Sequence, residues 1–102
     1  MSVFAIDFDR VIHRQSRGWQ DGEIYDPPVD GSKEIIQGLK DSGNEIIIFT
    51  AREKLDPVKK WLQSHGFPDI PVTNRKPLAS YYIDDRAIHF RSWKNIKEKF
   101  LK

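Results

Sequence analysis

The stretch EIIIFT, residues 45–50, is a continuous apolar run that is rich in β-branched residues and ends in Thr50. A short run of this kind is typical of a strand that is covered on both faces, as in a parallel sheet. Working outward, an earlier strand is predicted over residues 2–7, and two shorter strands are predicted over residues 71–73 and 80–84. We therefore expect a sheet of four strands.

The segment between the first two strands predicts a long excursion and then a helix. Residues 13–28 contain Gly18, Gly22 and a Pro-Pro pair, which favour a flap or hairpin over a helix. The helix is expected to begin at an N-cap, Asp30, and to stop at Gly43. Its expected inward face consists of Ile35, Ile36 and Leu39.

A second helix is predicted after the second strand. Asp56 is its expected N-cap, Pro57 takes the first helical position, and the His-Gly pair at residues 65–66 ends it. The residues expected to face inward are Val58, Trp61 and Leu62.

The tail after residue 92 predicts a third amphipathic helix. Its apolar residues recur at helical spacing, and its lysines lie on the other side. The apolar set is Trp93, Ile96, Phe100 and Leu101, and the lysines are Lys94, Lys97 and Lys99. Strands that alternate with such helices predict an α/β fold, here a three-layer sandwich with a mostly parallel, Rossmann-like sheet.

Composition narrows the class of protein. At 102 residues with 38% hydrophobic and 31% charged residues, the chain is expected to form one domain over residues 1–102. The absence of cysteine excludes disulfides, thiolate catalysis and a cysteine-based zinc site. No stretch approaches the roughly 20 apolar residues of a membrane helix, and no signal peptide precedes residue 7. We therefore expect a cytoplasmic protein with no membrane partner.

Polar residues that could take part in catalysis or ligand binding follow all four predicted strands. In a parallel sheet the carboxyl ends of the strands meet at one edge, which is where ligands bind. Taken alone, each of these residues has a simple structural explanation as a turn or strand-end residue, but four strands supply them to the same edge. They are Asp7 and Asp9, then Thr50 and Arg52, then Lys76, and finally Asp84 and Asp85.

Several carboxylates at one edge would repel one another unless a cation lay among them. Hard oxygen ligands of this kind favour Mg²⁺. Lysine, threonine and backbone N–H groups suit the oxygens of a phosphate, and one carboxylate could attack phosphorus while another transfers a proton. The set indicates phosphoryl transfer without a P-loop, since no G-x-x-x-x-G-K-[ST] motif occurs.

The segments IDFDRV, IIIFTAR and YYIDDR, together with Lys76, resemble the four motifs of the haloacid dehalogenase superfamily of phosphohydrolases, in order and in spacing. The resemblance implies that Asp7 is the nucleophile, forming an aspartyl-phosphate, and that Asp9 is the general acid and then the base. It departs from the pattern at Arg10, where the family commonly has glycine, the residue that best tolerates a positive φ.

The same resemblance implies the remaining site residues. Thr50, Ala51, Arg52 and Lys76 would bind the phosphate-ester substrate, with Thr50 and Lys76 also serving catalysis. The metal, Mg²⁺, would be bound by the acidic set Asp7, Asp9, Asp84 and Asp85.

The chain has no room for a separate cap domain, so the resemblance implies a small, capless enzyme with an open site. Open sites in this superfamily usually serve bulky phosphate esters or are closed by a neighbouring subunit, which leaves a homo-oligomer open. Trp19 and Tyr25 of the flap are either stacking surfaces or residues that pin the flap to the body. Arginines around the rim suit a nucleotide or a nucleic-acid terminus. They are Arg14, Arg17, Arg52, Arg75 and Arg86.

Two other functional classes stay open. A phosphoryl-accepting signalling domain, resembling a bacterial receiver, uses similar groups, but its phosphorylated aspartate comes mid-chain, where this chain has Thr50. The second is a catalytically inactive binding domain that keeps the fold and the metal site, for which Arg10 is the only indication.

Overall fold

A computed structural model describes residues 1–101 of the chain. Its elements follow the predicted order of strand, helix, strand, helix, two strands and a final helix. The strands are β1 (Val3–Asp7), β2 (Glu45–Phe49), β3 (Val72–Thr73) and β4 (Tyr81–Ile83), and the helices are α1 (Ser32–Asp41), α2 (Asp56–Ser64) and α3 (Trp93–Phe100). None of these helices combines the length and the apolar character needed to cross a membrane.

The four strands form one sheet in the order β3-β2-β1-β4, and every pair is parallel. The α/β prediction is therefore confirmed, with a fully parallel sheet flanked by helices. β1 lies inside the sheet, where Ala5 pairs with Ile47 of β2 and with Tyr82 of β4. This places the carboxyl end of β1 between the ends of its two neighbours.

One face of the sheet carries the hydrophobic core. Side chains alternate between the faces of a strand, so Ile6 and Phe8 share a face, as do Ile46 and Ile48 of β2. Helices α1 and α2 cover this face and bury all four side chains. The predicted inward residues of α2 are confirmed, since Val58, Trp61 and Leu62 are all buried in this core.

Helix α1 differs from the prediction at its start and on one side. Its N-cap is Gly31, with φ 86° and no side-chain cap, so the assignment of Asp30 was wrong. Glycine takes this left-handed backbone conformation without steric cost. Ile36 is buried and Leu39 packs against the core, but Ile35 is 65% exposed. Successive helical residues are about 100° apart, so Ile35 points sideways from a narrow contact stripe.

Helix α2 begins one residue earlier than predicted. Leu55 occupies the N-cap position, and Asp56, the predicted cap, is the first helical residue. Pro57 stays within the first turn, where a missing N–H removes no hydrogen bond. The carboxylate of Asp56 still lies near the positive end of the helix dipole.

Helix α3 forms where predicted, but its apolar side is uncovered. The Ser92 hydroxyl oxygen accepts a hydrogen bond from the backbone N–H of Asn95 at 3.1 Å, which caps the helix. No α3 residue is buried; Trp93 is 76% exposed and Phe100 57%. The predicted amphipathic helix thus forms, but its apolar side is not buried within the described part of the chain. Leu101 lies just beyond the helix and is also exposed.

The flap, residues 13–28, contains neither a helix nor a strand. A single antiparallel bridge between His13 and Pro28 closes its base. Within it, the Tyr25 hydroxyl donates a hydrogen bond to the Gly18 carbonyl oxygen at 2.7 Å and accepts one from the Arg17 backbone N–H at 2.8 Å. The flap is thus an ordered loop that is held by its own side chains.

Two alanine substitutions test which isoleucine side chains of β2 and α1 face the core. Ile48→Ala empties a fully buried position and should lower the free energy of unfolding by about 2–5 kcal/mol. Ile35→Ala, at an exposed position, should change it by less than about 0.5 kcal/mol. Urea unfolding of both variants measures this, and equal losses would contradict the described core.

Candidate functional site

Three carboxylates meet at the carboxyl edge of the sheet. Asp7 is the last residue of β1, and Asp84 and Asp85 directly follow β4. β1 and β4 are neighbours, with Ile6 paired to Ile83. One carboxylate oxygen from each of the three residues lies within 4.8 Å of the others. The sequence-predicted acids after the first and fourth strands are therefore brought together.

The pKa of Asp7 reflects this crowding. Burial raises it first, and the charge of Asp84 adds to the rise, followed by smaller contributions from Asp85 and Asp9. Together these effects raise the pKa of Asp7 from 3.8 to about 6. A carboxylate that is costly to ionise beside two others provides oxygen ligands for a hard divalent cation, whose charge would offset the repulsion.

The carboxylate of Asp9 lies outside this group and is occupied by Arg52. The Arg52 Nε–H donates to Oδ2 of Asp9 and its Nη2–H donates to Oδ1, both at 2.9 Å. A third donor, Nη1–H, reaches the Gly22 carbonyl oxygen at 2.8 Å. The Arg52 side chain is buried and that of Asp9 is 22% exposed, so this bidentate pair is partly shielded from water. Arg52, which is predicted to bind substrate, is thus bound to Asp9, the predicted general acid.

His13 completes the surroundings of Asp9. Its ring is fully buried, with Nδ1 at 2.9 Å from Oδ1 of Asp9. Nε2 accepts a hydrogen bond from the backbone N–H of Asp26 at 3.2 Å. Because Nε2 is an acceptor, the ring proton lies on Nδ1 and is donated to Asp9. The sequence alone indicates no role for His13, because its spacing of four residues from Asp9 brings the two together only through the path of the loop between them.

These partners set the ionisation of Asp9. Burial alone would raise the pKa of Asp9, but hydrogen bonds from Arg52 and His13, together with the Arg52 charge, outweigh it and lower the pKa. Asp9 is therefore held as a carboxylate, whereas Asp7 is harder to ionise than an ordinary aspartate. Two aspartates separated by one residue thus have pKa values that are shifted in opposite directions.

Arg10 adopts the backbone conformation that the glycine at this position would favour. Its φ is 71°, in the left-handed region where a side chain costs about 1–2 kcal/mol. Its N–H donates to the His13 carbonyl oxygen at 2.7 Å, and the Ile12 and His13 N–H groups both donate to the Phe8 carbonyl oxygen at 2.9 Å. The loop after β1 keeps a tight turn despite the arginine.

A cleft of about 430 Å³ opens over the carboxylates. One side is the flap, where the Trp19 ring is 61% exposed and lies 4.8 Å from the Arg52 guanidinium carbon. Trp19 is therefore a half-open aromatic surface at the cleft, whereas the Tyr25 ring packs edge-on against His13 inside the flap. Other residues that line the cleft are Asp7, Arg10, Ala51, Asp85 and Arg86.

Two predicted site residues lie apart from this cleft. The Thr50 side chain is buried, and its hydroxyl oxygen accepts a hydrogen bond from the Arg52 backbone N–H at 3.1 Å. The Lys76 ammonium lies 4.9 Å from the centre of the Tyr82 ring, in a groove on the other side of Asp7 and Asp84. Their proposed contacts with a phosphate stay predictions.

Comparison with known proteins gives a fold neighbour. No family model matches the chain, and no curated protein matches it. A solved structure, described as that of a conserved protein coded by a locus from Bacteroides thetaiotaomicron, is similar at a TM-score of 0.69 and 23% sequence identity. The match covers 95% of this chain and 87% of that one. This likeness supports the α/β fold over nearly the whole chain.

The raised pKa of Asp7 predicts a pH dependence of stability. A raised pKa means that the fold favours the protonated acid, so this contribution is complete below about pH 4 and is lost as pH rises through about 6. The stability of the unmodified protein relative to Asp7→Asn should fall over that interval. Urea unfolding in EDTA between pH 4 and about pH 7 measures it.

The matched control is Asp69→Asn, at an exposed aspartate far from the sheet edge. The difference in stability between Asp69→Asn and the unmodified protein should not show the pH dependence expected for Asp7→Asn. A difference between the unmodified protein and Asp7→Asn that stays constant across this pH range would contradict the crowding of the three carboxylates.

Proposed function

We propose that this protein is a Mg²⁺-dependent phosphomonoester hydrolase that uses Asp7 as its nucleophile. The observation that carries the proposal is the position of Asp7, at the end of an inner strand, within 4.8 Å of the Asp84 and Asp85 carboxylates and facing an open cleft. The resemblance of the four sequence motifs to the haloacid dehalogenase superfamily points to the same chemistry.

The donor set suits the metal. Asp7, Asp84 and Asp85 offer three carboxylate oxygens, and the two exposed members leave room for water ligands, as Mg²⁺ requires. When bound, Mg²⁺ would neutralise the charge of the carboxylates and of a phosphate beside them. The cation would also favour the ionised form of Asp7, which is the form that attacks.

The proposed reaction proceeds through the Asp7 side chain. Its carboxylate oxygen attacks phosphorus while the bond from phosphorus to the ester oxygen breaks, giving an aspartyl-phosphate and an alcohol that takes up one proton. Water then attacks the same phosphorus, and the Asp7 carboxylate and inorganic phosphate are released. The two steps restore the enzyme and consume one water.

Proton transfer by Asp9 requires a change in its partners. While Arg52 and His13 both donate to it, its lowered pKa opposes carrying a proton to the leaving oxygen. A phosphate in the cleft offers Arg52 another pair of oxygens that can accept two parallel hydrogen bonds, on a group of equal or greater negative charge. We therefore include an exchange in which Arg52 leaves Asp9 for the phosphate, so that Asp9 becomes free for acid–base work.

The cleft favours a bulky ester over a small one. It is open to solvent, its rim carries Arg10 and Arg86, and Trp19 offers an aromatic ring within the lining. An aromatic ring and arginines beside a phosphate site suit a nucleotide or the terminus of a nucleic acid. This extends the proposal from the reaction to a class of substrate.

Phosphate release from p-nitrophenyl phosphate, nucleotides, and 3′- or 5′-phosphorylated oligonucleotides tests the proposal. Activity is expected with Mg²⁺ and not with EDTA. Asp7→Asn should reduce kcat at least about 10³-fold because it removes the nucleophile, while Asp69→Asn should retain it.

Turnover that survives in EDTA or in Asp7→Asn would overturn the mechanism. Lack of activity on every ester would favour the inactive binding domain, provided that Mg²⁺ still raises the melting temperature. A stable phosphorylated protein after incubation with acetyl phosphate, without turnover, would favour a phosphoryl-accepting domain.

Arg52→Lys tests the exchange. Lysine keeps the charge but cannot form two parallel hydrogen bonds, so kcat/KM should fall about 10- to 100-fold, with most of the loss in KM. Arg91→Lys, at an exposed arginine that does not line the cleft, should leave both constants unchanged. If Arg52 only stabilises the fold, Arg52→Lys will lower the melting temperature and leave KM unchanged.

A further inference from the structure

Within residues 1–101, no helix packs closely against the second face of the sheet, opposite α1 and α2. Side-chain alternation and register place Ala5, Ile47, Phe49 and Tyr82 on this face, which we call the open face. A groove of about 750 Å³ runs along it. Its lining includes the apolar or aromatic residues Ala5, Phe49, Tyr82 and Ile88, together with the charged residues Asp7, Lys76 and Asp84. Ile88, from the segment after β4, is 46% exposed. In an α/β sheet this is the position that a helix layer normally covers.

Helix α3, in turn, has an apolar side that is not buried. Trp93, Ile96 and Phe100 lie on one side of it at spacings of three and four residues, and none of them is buried. A helix of eight residues is marginal in water unless a packed apolar side stabilises it. The same chain therefore presents a sheet face without a helix and a helix without a sheet face.

The accessible surface and the radius of gyration both exceed the values for a compact monomer of this size. Its accessible surface is 7425 Å², whereas a compact monomer of 12.0 kDa exposes about 6,000 Å². Its radius of gyration is 15.0 Å, against about 13 Å for a compact domain of this length. The excess of roughly 1,400 Å² exceeds the ~800 Å² per partner that a standard stable interface buries.

We infer that two copies of this chain exchange their α3 helices, each helix packing its apolar side into the open-face groove of the other copy. Each copy carries one open-face groove and one α3 helix. A two-fold axis therefore pairs each helix with the groove of the other copy, and the assembly closes as a dimer. In the described chain α3 stands off its own sheet, which leaves the groove accessible to a helix from another molecule. The inference does not depend on the proposed phosphatase activity.

The first test is the mass in solution, by light scattering during size exclusion and by sedimentation over a range of concentrations. We expect twice 12.0 kDa. Trp93→Glu should weaken the dimer at least about 30-fold, the cost typical of losing a central tryptophan of an interface. The matched control is Ile35→Glu, an equally exposed apolar residue on α1, which should leave the dimer unchanged.

The second test uses cysteine cross-links, since the chain has no cysteine of its own. Ile88→Cys marks the groove and Ile96→Cys marks α3. When the two single variants are mixed and oxidised, a covalent dimer should form in larger amount than with either variant alone. In the double variant, oxidation should also link separate chains. Both substitutions lie at unburied positions, so folding can be verified by circular dichroism before mixing.

The outcomes separate the alternatives. A mass of one chain at all concentrations would overturn the inference, as would a disulfide formed within a single chain, which would mean that α3 folds back onto its own sheet. A dimer that is equally weakened by Ile35→Glu, or unaffected by Trp93→Glu, would place the interface elsewhere and likewise overturn it.

Discussion

The buried ion pair between Asp9 and Arg52 joins three parts of the chain that share no secondary structure. Asp9 belongs to the loop after β1, Arg52 follows β2, and the third guanidinium donor holds the flap at Gly22. Removal of one partner of a buried pair leaves an uncompensated charge, which costs about 3–5 kcal/mol. Arg52 is therefore the side chain that links the loop after β1 to the flap, and it lies in the wall of the cleft between them. The same pair also separates the two aspartates chemically, since it holds Asp9 as a carboxylate while Asp7 is crowded by acids.

Much of the fold follows from sequence patterns that depend on neighbouring residues. The strands are predictable because an apolar run bounded by polar residues leaves few alternatives, and α2 is predictable because its apolar residues recur at helical spacing. The errors arise where distant parts of the molecule decide the outcome. The exposure of Ile35 depends on how widely α1 contacts the sheet, which its own sequence does not specify. An amphipathic pattern likewise indicates that α3 needs a partner, but not that its own sheet lacks contact with it.

The candidate site likewise has one part that the sequence predicts and one part that it does not. The meeting of Asp7 with Asp84 and Asp85 could be predicted, because parallel strands present their carboxyl ends at one edge. The separate environment of Asp9 could not. In a continued strand Asp7 and Asp9 would point to the same side, but β1 ends at Asp7 and the left-handed residue Arg10 turns the chain. The partners that Asp9 then acquires lie four and 43 residues away in sequence, with no local pattern to announce them.

The register between β1 and β4 has a consequence for the spacing of the acids. Ile6 pairs with Ile83, so Asp7 and Asp84 are the next residues along two hydrogen-bonded strands. Adjacent strands lie about 4.8 Å apart, and the oxygens of the acidic group lie within 4.8 Å of one another. The side-chain conformations set the distance between these oxygens, but which acids are neighbours at this edge is set by the backbone register. The surrounding loops can vary in length without altering it, whereas a shift of β4 by one residue would carry Asp84 to the opposite face of the sheet.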